Sequence, residues 1–164
     1  MNTPKTSWIF LLPLMAGLAL GLAGCGPRHR PSETNAGQHK DLPPHGGTAV
    51  TLGDDAFHVE FVRDADAGKL SAYVLDDEME EFVRGGSPGF TVVAKVGGEE
   101  RPLDFKPVAD PATGETLTST SLYEASAPWL KTTAAFDAVI RRLSVHDQVF
   151  ADVSFNFPKG EGKD

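Results

Sequence analysis

Beyond residue 44, apolar and polar positions alternate with a period of two over most of the chain, as they do in strands that bury one face. Phe57, Val59 and Phe61 alternate with His58, Glu60 and Val62. After the turn Asp64-Ala65-Asp66-Ala67-Gly68, residues Leu70, Ala72 and Val74 alternate with Ser71, Tyr73 and Leu75. Pairing Phe61 with Leu70 gathers the small and apolar side chains on one face of a hairpin, and sets His58 across from Tyr73 and Glu60 across from Ser71 on the outer face. Further strands are expected over 48–52, 90–96, 101–107, 119–125, 136–145 and 149–157. Val96-Gly97-Gly98-Glu99 reads as a hairpin connection and His146-Asp147-Gln148 as another, with one helical turn around Trp129. Tyr123, Trp129, Phe136 and Phe150 read as core aromatics. About seven or eight short strands at this spacing predict an all-β domain, an antiparallel immunoglobulin-like β-sandwich.

The first 44 residues follow another pattern. No charge falls between Lys5 and Arg28, and Trp8 to Leu22 reads WIFLLPLMAGLALGL, the basic start and apolar stretch of a secretory signal. Pro13 interrupts that stretch, and a membrane-spanning helix needs about 20 apolar residues. The run ends in Leu22-Ala23-Gly24-Cys25, which resembles a bacterial lipobox. The resemblance implies cleavage before Cys25 and diacylation of its thiol, hence attachment to the membrane through a lipid anchor. It places the protein at the bacterial cell membrane facing the periplasm. Gly26, where an inner-membrane retention Asp would stand, favours the outer membrane. Residues 26–44 carry four prolines and almost no core former, so they read as a flexible tether. The expected organisation is a signal peptide over 1–24, Cys25 and the tether over 25–44, the β domain over 45–158, and a frayed tail over 159–164.

Charge narrows the partners. The 164 residues hold 15 Lys and Arg against 23 Asp and Glu, a formal charge of −8. Removing residues 1–24 takes away Lys5 and no acid, leaving 14 bases against 23 acids, or −9. Such a surface repels a phosphate backbone, which excludes nucleic acid as a partner. Cys25 is the single cysteine, so lipidation leaves no thiol for disulfides or catalysis.

Candidate chemistry is sparse. The chain has no Gly-x-Ser-x-Gly elbow, P-loop, dinucleotide fingerprint or His-Glu-x-x-His, which argues against an enzyme. His58 and Glu60 stand two apart on one strand and share a face; with His45 they form a candidate site for copper or zinc. If the hairpin register continues, Asp55 faces Asp76 and Asp54 faces Asp77, a second candidate site suited to calcium. Like charges directly opposite destabilise a strand pair, so that end needs either a cation or splayed strands. The turn from Asp64 to Gly68 is not a calcium loop, because Leu75 stands where a bidentate Glu would be required.

His45-Gly46-Gly47, Leu52-Gly53-Asp54, His58-x-Glu60 and Tyr73-Val74-Leu75-Asp76 together resemble an uncharacterised family of small bacterial envelope lipoproteins. His45-Gly46-Gly47 is also loosely similar to the His-Gly-Gly segment of heavy-metal efflux adaptor proteins. The resemblance covers residues 45–76 and implies a non-catalytic envelope binding protein that handles metal ions near an efflux system. The chain lacks the adaptors' long helical hairpins and lipoyl-like domain, so it does not bridge a pump to a channel. The alternative is a structural or protein-docking sandwich without metal, with an envelope protein as its partner.

Overall fold

The structure, a computed structural model, describes residues 42–160; the signal segment, Cys25 and most of the tether lie outside the described residues. Eight antiparallel strands build the domain: β1 (Thr48–Leu52), β2 (Phe57–Asp64), β3 (Lys69–Leu75), β4 (Phe90–Val96), β5 (Glu99–Pro107), β6 (Leu122–Ser126), β7 (Phe136–Val145) and β8 (Gln148–Phe157). One 3-10 turn, Pro128–Lys131, carries Trp129. The expected all-β antiparallel sandwich is the architecture, and the expected bounds of β1, β4 and β7 hold to the residue. The strands follow the order β1-β2-β3-β6-β5-β4-β7-β8. β5 pairs with β4 from Glu99 to Phe105 and with β6 at Lys106 and Pro107, so it carries the sheet round a corner and folds its two halves face to face.

Aromatic rings fill the space between the halves. Phe61 of β2 stacks on Phe155 of β8 with centroids 4.7 Å apart, and its edge meets Phe105. Phe90 stacks on Phe105, and Phe136 on Phe157. Tyr123, Phe136 and Phe150 are buried and Trp129 packs partly buried against them, as their place in the pattern predicts.

Three features depart from the expected strand arrangement. First, Phe61 pairs with Ala72, not Leu70; Glu60 faces Tyr73, Ser71 faces Val62, and His58 faces Leu75. The turn sets this register. The Asp64 carboxylate accepts from the Ala67 N–H and the Asp64 carbonyl from the Gly68 N–H, each at 2.9 Å, closing the strands at Asp64 and Lys69. A slip of two residues keeps every side chain on its own face, so alternation is blind to it. Second, the outer face of β2 is covered: His58 is buried and Glu60 fully so. Third, the hairpin of β7 and β8 changes phase midway. Inward positions run Phe136, Ala138, Ile140 and then Leu143, Val145, while Phe150 is followed inward by Phe155 and Phe157. Asp152, with φ 53, marks the bend. Beyond it, Phe150 reaches Phe57 near the open end of β2. The chain remains hydrogen-bonded past Pro158, because Gly160 and Asn156 exchange two bonds of 2.7 Å; Lys159 and Gly160 therefore belong to the folded domain rather than to a frayed tail.

Candidate functional site

The outer face of β1-β2-β3-β6 carries a clasp. Glu60 projects from β2 away from the aromatic core, where its carboxylate meets the segment that enters β1. Oε1 accepts from the backbone N–H groups of His45 (2.9 Å) and Gly47 (2.7 Å), and Oε2 lies 2.8 Å from His45 Nδ1. A fully buried carboxylate is tolerated only where its lone pairs are matched, and these three groups match them. Gly47 is required by space. A Cβ there would lie 2.6 Å from the Phe61 carbonyl oxygen, 2.8 Å from Val62 Cγ2 and 2.9 Å from Glu60 Cγ. Gly46, at φ 66, makes the turn from Pro43, whose carbonyl its N–H reaches at 2.9 Å.

The clasp lays the His45 ring on Tyr73, with centroids 3.9 Å apart and planes 19° from parallel. Phe82 completes a three-ring wall, 5.7 Å from His45 and 6.0 Å from Tyr73. It is brought there by the chain after β3, which turns back on itself. The Asp76 N–H donates to the Glu81 carbonyl, and Asp76 Oδ1 accepts from the N–H groups of Glu80 and Glu81. Leu75 then bridges to Phe82, and the Val83 N–H donates to the Val74 carbonyl. Burial, and next the nearby Glu124 carboxylate, pushes the Tyr73 phenol above its ordinary value, so it stays neutral.

Beside the three rings runs a groove of about 620 Å³. Its far wall rests on Glu115, a buried carboxylate that accepts from the Ser121 N–H (3.1 Å) and hydroxyl (2.7 Å). Arg84 lines the groove, donating to the Thr113 carbonyl at 2.6 Å with its Nε 3.6 Å from Glu115. Glu80, Glu81 and Asp110 also line it.

Of the first candidate metal set, the fold brings His45 and Glu60 into direct contact and turns His58 elsewhere. His58 Nδ1 lies 3.1 Å from the Asp76 carbonyl and Nε2 lies 3.2 Å from Asp55 Oδ1. Of the second set, Asp55 and Asp76 do not face each other as paired-strand residues, because β3 ends at Leu75 and the chain folds back. Asp54 and Asp77 are exposed. Among the described residues no three His, Cys, Asp or Glu side chains gather in a group able to hold a metal ion. Cys25 lies outside the described residues.

Sequence reasoning did not single out Phe82, Arg84, Glu115 and Ser121. They meet through the return of the 76–85 segment over the sheet and the bridge of Gly85 to Thr120, contacts with no periodic signature. Tyr73 could have been found, since it shares the outer face of β3 with Ser71 and stands opposite Glu60 once the turn fixes the register. No family model, no curated protein and no solved structure gives a significant match to the chain.

Proposed function

We propose that the chain is a lipid-anchored envelope protein, attached at Cys25, whose β domain is a non-catalytic binding module that takes its ligand in the groove beside His45. The observation that carries this reading is the clasp. Glu60, His45 and Gly47 are built into one hydrogen-bonded unit that holds an imidazole flat against Tyr73 at the mouth of a groove, next to a half-exposed Phe82. Large apolar side chains at the rim of a concavity, with fixed polar groups beside them, are the ordinary make-up of a binding site.

The clasp also favours the form of this reading without a resident metal. Both Glu60 oxygens are engaged in holding the loop, and both His58 ring nitrogens face hydrogen-bonding partners. A metal at His45, His58 and Glu60 would have to compete with these contacts. The anchor is supported by the Leu22-Ala23-Gly24-Cys25 sequence alone.

The test uses the full-length protein made in bacteria and purified in nonionic detergent. Radiolabelled palmitate is expected in the wild type and absent from Cys25→Ser; an unlabelled wild type overturns the anchor. Thermal unfolding is then followed with a concentrated small-molecule extract of the bacterial envelope. A ligand that binds only the folded state raises the midpoint, and the rise should vanish in Phe82→Ala. No rise, or a rise that Phe82→Ala leaves intact, overturns the groove.

A further inference from the structure

Resting on that reading of the groove, we propose that its ligand is a small organic cation, an ammonium group carried on an apolar or aromatic body. Three observations converge on this chemistry. The first is size, because about 620 Å³ falls within the roughly 300–1,000 Å³ of small-molecule sites.

The second is the wall. His45, Tyr73 and Phe82 form a continuous aromatic surface, with Phe82 46% exposed. The negative face of an aromatic ring attracts an ammonium within about 6 Å of its centre. The neutral Tyr73 phenol adds no charge of its own to this wall.

The third is the charge balance. Four acidic residues, Glu80, Glu81, Asp110 and Glu115, line the groove against one arginine, Arg84. Arg84 is already tied to the Thr113 carbonyl and to Glu115, so it is not poised to receive an anion. Among the described residues, Glu80 and Glu81 have no cationic partner. An anionic ligand would enter against these charges. A neutral one would leave them unanswered, and a bare metal ion would make no use of the rings.

Isothermal titration of the full-length protein in nonionic detergent tests this with three probes of similar shape: benzyltrimethylammonium, benzyl alcohol and phenylacetate. The cation is expected to bind with a Kd below about 1 mM, at least tenfold tighter than the alcohol, with no binding of phenylacetate. Phe82→Ala should weaken the cation about tenfold. The double change Glu80→Gln with Glu81→Gln should weaken it and flatten its dependence on salt. Val149→Ala, on a surface residue of β8, should leave it unchanged. Equal binding of cation and alcohol, or tighter binding of phenylacetate, overturns the inference; if Phe82→Ala weakens those probes too, the groove itself stands. Absence of cation binding also overturns it. A rise in unfolding temperature with envelope extract that is lost in Phe82→Ala then shows that the groove binds some other chemistry.

Discussion

Replacing Glu60 with alanine should be among the most damaging single substitutions in the domain, although it touches none of the apolar core. The carboxylate is fully buried and answers two backbone N–H groups and one imidazole nitrogen. Its removal leaves the His45 and Gly47 amides without an acceptor at a half-covered site, at about 1–1.5 kcal/mol each. Loss of the imidazole contact adds about 1 kcal/mol, and the void left by the side chain about another. The sum is about 4–5 kcal/mol, or about 15–20 °C in Tm for a domain of this size. Glu60→Gln keeps one carbonyl oxygen for the two amides and fills the space, so its cost should be only about 1–2 kcal/mol. Urea unfolding of the two variants beside the wild type reads the difference directly. Loss of less than about 1.5 kcal/mol in Glu60→Ala, or equal losses in both variants, would refute the clasp as a cooperative unit.

Other outcomes follow from the same geometry. Gly47→Ala forces a methyl group against the Phe61 carbonyl and should cost about 2–3 kcal/mol, whereas Gly46→Ala, with nothing within 4 Å, should cost less; denaturant midpoints rank the two. Asp152→Gly relieves a left-handed residue at the loss of an exposed ion pair to Arg141, so stability should hold or rise by up to about 1 kcal/mol, while Asp152→Val should lose about 1–2 kcal/mol, both read from urea midpoints. Burial raises the phenols of Tyr73 and Tyr123 above 10.0, and the hydrogen bond to Glu124 raises Lys69 above 10.5. The unfolded chain therefore releases these protons first. The stability they contribute is fully present below about pH 10 and is lost as pH rises through the folded-state values, which urea unfolding between about pH 9 and 11 should show as a falling limb that Tyr123→Phe makes shallower.

Much of the fold was legible because alternation is a strong constraint where one face is buried. β1 and β4 follow from it to the residue, and the two-residue connection Gly97-Gly98 follows from turn chemistry alone. The misread features share a cause, dependence on contacts that no local pattern encodes. A register slip of two leaves the faces unchanged, so Phe61 opposite Leu70 and Phe61 opposite Ala72 look alike until the Asp64 cap decides between them. His58 and Glu60 look solvent-facing because they are polar. They are buried because the His45 segment and residues 76–85 lie over them. The bend in the last hairpin did leave a trace, since Arg141 and Arg142 stand together between Ile140 and Leu143 and break the alternation where the strand changes face. In the candidate site, the residue types suggest His45, His58 and Glu60 as joint metal ligands, whereas His58 turns to Asp55 and Asp76. His45 and Glu60 form a hydrogen-bonded clasp, reached because the two amides of the His-Gly-Gly turn and the imidazole together match a carboxylate's lone pairs.

The central claim is that this clasp builds the place where a ligand sits. Amide hydrogen exchange of the full-length protein, with and without the envelope extract, tests it most directly because it reports position as well as binding. The account predicts slowed exchange at Gly46 and Gly47, over 80–84 and over 115–122, with β8 unchanged. Slowing centred on β8, or no change anywhere, would contradict it.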